Sequence, residues 1–258
     1  MNKFFFTLLM FSVQTLVSAQ APFKKAVKDL TYTFVSEEGT NASAVVWHPE
    51  KNLYFTVIAG NQDFPFEAFD SKGKSSYSNF IGLDTRGMWY NPKTRSLELN
   101  ASGDEGWYSI TLKKDMTTHV TESIAEGQNQ PDFQSVGTFD PVKKAVVFFD
   151  AENYGLKFFS QKNPKSISSL KLDISDEELL FFNLTTVGYT GKKGFEYVLL
   201  NIELKKLYFF DRKGKKTAET NIGEEAVLGE MFLFSFTNNR AFFYNTDNRT
   251  WTAYNVFK

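Results

Sequence analysis

The sequence has no cysteine among its 258 residues, which removes disulfides, thiolate metal sites and a cysteine nucleophile together. Histidine is nearly as scarce. His48 sits in a proline turn and His119 in a polar segment, and neither has a second ligand at metal-binding spacing. An excess of either charge is also lacking: 29 Lys and Arg face 30 Asp and Glu, so nothing points to nucleic acid as a partner. Gly-x-Ser-x-Gly, phosphate-loop and dinucleotide glycine patterns are missing. Gly188, Gly191 and Gly194 are spaced by threes, but Lys192 and Lys193 lie between two strand-like runs, so a hairpin turn accounts for them. No cofactor is called for.

Long hydrophobic runs are confined to the start of the chain. Lys3 is followed by an apolar stretch from Phe4 to Val17 and by the small residues Ser18 and Ala19. Fourteen residues in a helix rise about 21 Å, short of a hydrocarbon core of about 30 Å. Residues 1–19 are therefore expected to be an export signal cleaved after Ala19, leaving 20–258 as one periplasmic or extracellular domain with no transmembrane segment.

What the chain has in abundance is phenylalanine, 28 residues, arranged in a repeat. Phe69-Asp70-Ser71-Lys72-Gly73-Lys74 returns 141 residues later as Phe210-Asp211-Arg212-Lys213-Gly214-Lys215, three units of 47. A second signature places an aromatic and a proline turn before a new apolar run: Trp47-His48-Pro49, Trp89-Tyr90-Asn91-Pro92 and Phe139-Asp140-Pro141. Gly191 to Gly194 and Thr237 to Arg240 take the same place in two further units. Between the turns lie runs of β-branched and aromatic residues, three strong strands per unit and a weaker, polar fourth such as Ser166 to Leu172 or Thr217 to Ile222.

Neighbouring rings at Phe148-Phe149, Phe158-Phe159, Phe181-Phe182, Phe209-Phe210 and Phe242-Phe243 point to opposite faces of a strand, so both faces of each sheet must be covered. Sheets stacked on sheets in a ring satisfy this. The expected fold is all-β, a five-bladed β-propeller whose last blade is completed by the orphan strand Leu30 to Val35. The Trp-His-Pro and Phe-Asp-Pro turns resemble the inner hairpins of β-propeller repeats, and five units near 47 residues resemble the five-bladed tachylectin-type lectin propellers. That resemblance implies architecture; no sugar-binding residue of the lectins is matched here.

With strands labelled a to d from the axis outward, the b–c and d–a loops share one face and the a–b and c–d turns the other. The first should be acidic and the second basic, the latter carrying Lys51, Lys93, Lys143, Lys192, Lys213 and Lys216 among others and offering an anionic envelope surface a place to dock. On the acidic face, amides and carboxylates beside rings suit a glycan or protein ligand. The candidate binding residues are Asn61, Asp63, Asp84, Arg86, Asp104, Trp107, Asp132, Asp150, Asn153 and Asp247, next to the rings Phe64, Tyr154 and Trp251. Asp150 to Gly155 has the look of a calcium loop but places Tyr154 where an oxygen ligand is needed, so no metal is expected. The expectation is thus a non-enzymatic binding or scaffolding module. Its alternative is a propeller hydrolase or lactonase using axial carboxylates such as Asp84, Asp132 and Glu178, with or without a divalent cation.

Overall fold

A computed structural model describes residues 20–60, 63, 65–116 and 119–257. The export signal expected over residues 1–19 lies outside them. Among the described residues the first strand is β1 (Val27–Thr33), and four-stranded antiparallel sheets follow in sequence order. The first is β2 (Asn41–His48), β3 (Leu53–Ala59), β4 (Pro65–Phe69) and β5 (Ser75–Phe80). The second is β6 (Thr85–Asn91), β7 (Ser96–Ala101), β8 (Trp107–Leu112) and β9 (His119–Ala125). The third comprises β10 (Thr138–Asp140), β11 (Ala145–Asp150), β12 (Gly155–Ser160) and β13 (Ile167–Lys171). The fourth comprises β14 (Gly188–Tyr189), β15 (Tyr197–Asn201), β16 (Lys206–Phe210) and β17 (Lys216–Asn221). The last has only three strands of its own, β18 (Phe234–Thr237), β19 (Arg240–Asn245) and β20 (Thr250–Asn255), and β1 pairs with β20 as its fourth. Tyr32 faces Trp251 in that register and Val27 faces Asn255. The molecule is a five-bladed β-propeller closed by its N-terminal strand.

The paired rings explain why the ring of blades forms. Phe148 packs with Trp89 and Trp107 between the second and third blades, whereas Phe149 packs with Leu156 and Tyr197 between the third and fourth. Phe242 and Phe243 divide in the same way between the fifth–first and fourth–fifth interfaces. Each side chain removed from water in this manner contributes about 1.5–3 kcal/mol, and an open end would forfeit one complete interface. One expected pair departs from the pattern. Phe181 and Phe182 lie in the connection between blades, with Phe182 buried and Phe181 exposed, because the loop there turns back on itself instead of extending as a strand.

The repeated motifs are turn chemistry. Asp70 Oδ1 accepts from the Lys72 and Lys74 amides at 2.8 and 3.0 Å, and Asp211 Oδ1 accepts from Lys213 and Lys215 at the same two distances. Gly73 and Gly214 have φ of +77° and +81°, and a Cβ on either would lie 2.0 Å from a carbonyl oxygen of the preceding blade, that of Thr31 or Lys171. The three proline turns are related just as simply. The residue before each proline offers an acceptor to an amide beyond it: His48 Nδ1 to Lys51 N, Asn91 Oδ1 to Lys93 N, Asp140 Oδ1 to Val142 N. In the fourth blade Thr190 Oγ1 does the same for Lys192 N at 3.0 Å.

Candidate functional site

Blade closure brings the d–a connections together around the axis on one face. Arg86, at the start of an inner strand, has its guanidinium bonded to the Asp84 carboxylate, to Gln134 Oε1 at 2.7 Å and to Ser102 Oγ at 3.1 Å, and stacks 5.2 Å from the centre of the Phe232 ring. Phe232 is buried with Ala59 and Val136, so side chains from four blades plug this end of the axis. Beneath the plug is an axial cavity of about 140 Å³ lined by the inner strands of all five blades, with no carboxylate in its wall.

Two of the three carboxylates named for a hydrolase, Asp84 and Glu178, are occupied elsewhere. Asp84 pairs with Arg86 and accepts from Gly60 N at 2.7 Å. Glu178 caps a short helix, α1 (Asp176–Leu179), in a capping box with Ser175 and pairs with Lys216 at 2.6 Å. Burial pushes the Glu178 carboxyl up, but the Lys216 and Ser175 bonds outweigh it and hold the group below the usual carboxylate range. Glu105 goes the other way: burial, with Asp84 nearby, raises it.

The expected binding residues are dispersed. Asn61 and the ring of Phe64 lie outside the described residues, and Asp63, Asp104 and Asp247 sit on exposed b–c turns of three different blades. Trp107 is not at the surface. It is 1% exposed among Trp89, Phe148 and Phe159, because it begins strand c and faces the neighbouring blade. Trp251 is likewise in the core, donating from Nε1 to Thr56 Oγ1 of the first blade at 2.8 Å. Asn153 is exposed and donates to Asp150 Oδ2 at 2.8 Å. Besides the Asp84–Arg86 and Asp150–Asn153 pairs, Asp132 and Asp150 line one cavity of about 250 Å³ that also holds Glu152, Leu184 and Lys157, the last 3.0 Å from Asp150.

The charge division is incomplete as well. Lys216, expected on the basic face, pairs with Glu178 of the acidic one, and the c–d turn of the fourth blade accepts a bond from Asp173 N at its Gly214 oxygen. The c–d turns of the first and fourth blades lie against the preceding blade, Gly73 beside the Thr31 carbonyl and Gly214 beside that of Lys171, instead of standing clear on a face. The a–b turns keep their basic character, with Lys51, Lys93, Lys144 and Lys193 outside the salt bridges of the described residues.

Adjoining the Asp132–Asp150 cavity is a larger groove that the sequence did not signal. The connections 126–137, 172–187 and 222–233 are longer than 34–40 and 81–84, and enclose about 500 Å³ on one side of the face. Its wall includes Leu180, Phe181, Leu184, Ile202 and Met231, and its edge carries Asp132, Glu203 and Glu230. Leu180 is 79% exposed, Met231 53%, Leu184 50% and Phe181 43%, so four apolar side chains around this groove reach solvent. Asn183, buried beneath, ties two of these connections together, and the neighbouring Thr185 joins the third. Its Oδ1 accepts from the Thr185 and Thr186 amides, its Nδ2 donates to the Met231 carbonyl, and the Thr185 carbonyl accepts from Val136 N at 2.9 Å. The missed signal was the fourth b–c loop, Ile202-Glu203-Leu204-Lys205, together with the absence of any Lys or Arg from 172–191 and from 217–239.

No family model matches the chain, and no curated protein matches it. Solved structures do. Glutaminyl cyclase from Myxococcus xanthus is similar with a TM-score of 0.55 at 10% identity, over 90% of this chain and 98% of that one. A protein of unknown function from Bacteroides thetaiotaomicron scores 0.47 at 9% identity, over 92% and 73%. A nidogen/laminin complex scores 0.46 at 14% identity, over 72% of this chain and 66% of that one. At 10% identity the likeness to the cyclase extends to the propeller fold alone.

Proposed function

We propose that this protein is a binding module whose loop face docks an apolar segment of another protein flanked by Lys or Arg. The acid-edged apolar groove carries this proposal. Burying Leu180, Leu184, Phe181 and Met231 under a partner supplies the hydrophobic gain, and a cationic flank answers the carboxylates around them. None of Asp132, Glu177, Glu203 or Glu230 is engaged in a salt bridge among the described residues. Lys205, the cation closest in sequence to the groove wall, is bonded to Glu224. A protein fits better than a glycan, because Trp107 and Trp251, the rings a sugar would stack on, are buried.

Read with residues 1–19 as an export signal, the encounter takes place in the periplasm or outside the cell; secreted protein whose first residue is Gln20 would support this, and retention of Met1 would oppose it. The docking itself is tested by fluorescence titration with leucine-rich peptides carrying lysine or glutamate flanks, and with an oligosaccharide panel. The lysine peptide should bind, should weaken as salt rises from 50 to 300 mM, and should lose about tenfold or more in affinity to the double variant Leu180→Ser/Leu184→Ser. Tight binding of an oligosaccharide, unaffected by that variant, would overturn the proposal.

A further inference from the structure

We infer that the segment received by the groove is an amphipathic α-helix, not an extended strand or a polyproline turn. This rests on the docking function proposed above and adds the conformation of the partner. Much of the backbone of the groove wall is already used. Phe181 N donates to Glu178 O and Phe182 N to Leu179 O at 3.2 and 3.1 Å, while Asn183 N donates to Leu200 O and Phe181 O accepts from Ile202 N, both at 2.8 Å. The Thr185 and Thr186 amides are taken by Asn183 Oδ1, the Thr185 carbonyl by Val136 N, and the Met231 carbonyl by Asn183 Nδ2.

An extended peptide adds to a sheet by pairing with a free edge, and would leave its own amides and carbonyls unsatisfied over such a wall. A polyproline segment is recognised by aromatic side chains with polar tips, and the groove wall holds no Trp or Tyr. A helix satisfies its backbone internally and presents only side chains, which is what a wall of leucine, isoleucine and methionine can receive; methionine adds the adaptability that helix-binding grooves exploit. The apolar stripe at i, i+3, i+4 and i+7 would lie against Leu180, Leu184, Ile202 and Met231, with lysines or arginines on either side meeting Asp132, Glu203 and Glu230.

The probes are three sixteen-residue peptides of leucine, lysine and alanine. One has leucines at helical spacing with flanking lysines, the second is identical but has two central alanines replaced by proline, and the third has glutamate in place of lysine. Binding to the intact mature chain is followed by anisotropy, and peptide conformation by isotope-edited spectroscopy. The first peptide should bind at least about tenfold more tightly than the second, and become helical on binding. The third should bind more weakly than the first. A proline peptide that binds as tightly as the first, or a bound peptide that stays extended, overturns the helix while leaving the docking function intact. Failure of all three to bind overturns both. Leu184→Ser, whose melting temperature is checked in parallel, should abolish the preference without unfolding the chain.

Discussion

Replacing Tyr32 with phenylalanine removes one hydroxyl from the seam where the propeller closes. Tyr32 lies on β1, is 2% exposed, and stacks on Phe69 of the first blade with ring centres 4.0 Å apart and planes 8° from parallel. Its hydroxyl donates to Glu67, a carboxylate fully buried on the third strand of the first blade that also accepts from the Val35 and Ser36 amides at 3.0 Å. Phenylalanine preserves the ring and its stacking, so the change isolates the hydrogen bond. A bond to a charged acceptor contributes about 1.5–3 kcal/mol, and at about 2–4 °C per kcal/mol for a domain of this size the melting temperature should fall by about 3–12 °C. The assay is thermal and urea unfolding of Tyr32→Phe, Glu67→Gln and the double variant. Because both residues serve one bond, their effects should be less than additive by about 1 kcal/mol or more. A single variant within about 0.5 kcal/mol of the parent, or strictly additive effects, would refute the claim that this pair latches the ring.

Gly73→Ala and Gly214→Ala should each cost about 2 kcal/mol or more, because the added Cβ meets a neighbouring carbonyl as well as a left-handed φ, whereas Gly194→Ala, with open space around it and φ +84°, should cost only about 1 kcal/mol; equal losses in urea unfolding would show that interblade packing at these turns is unimportant. Leu180→Ser should leave stability within about 0.5 kcal/mol of the parent, since that side chain is 79% exposed, while weakening peptide binding; a large loss of stability would mean that the groove is core. Burial holds both His48 and His119 below the ordinary value of 6.5, so the unfolded chain takes up protons first as pH falls. Their contribution to stability is full above about pH 6.5 and is lost below it. Glu105, raised by burial, acts in the opposite sense, so the histidine part is isolated by comparing melting temperatures of the parent and His48→Gln/His119→Gln between pH 7.5 and 5.5. A parent slope no steeper than that of the variant would contradict the assignment.

The blades were legible because everything that specifies them is local. Alternating turns and strands recur every 47 residues or so, and Phe148-Phe149 or Phe242-Phe243 announce a sheet covered on both sides before any neighbour is known. Closure followed from the same local count, which left Leu30 to Val35 without a partner and the last unit without a fourth strand. The aspartates of the Phe-Asp motif and the acceptors before each proline are likewise short-range devices, readable from the identity of a few adjacent residues.

The groove proposed as a binding surface is not local, and the sequence did not signal it. Trp107 and Trp251 have the composition of ligand-stacking rings, and only the packing of one blade on the next decides that they are core. Phe181-Phe182 looks like a buried strand pair by the rule that works elsewhere, yet Leu180, Phe181 and Leu184 reach the surface because Asn183, far from Met231 in sequence, ties two connections together beneath them. A groove built from three connections between blades and one b–c loop has no periodicity of its own. The chain alone dictated strands, turns and the number of blades, since these depend on residues within a few positions of each other; which apolar side chains stay in water was settled when the ring shut and set the distances between loops.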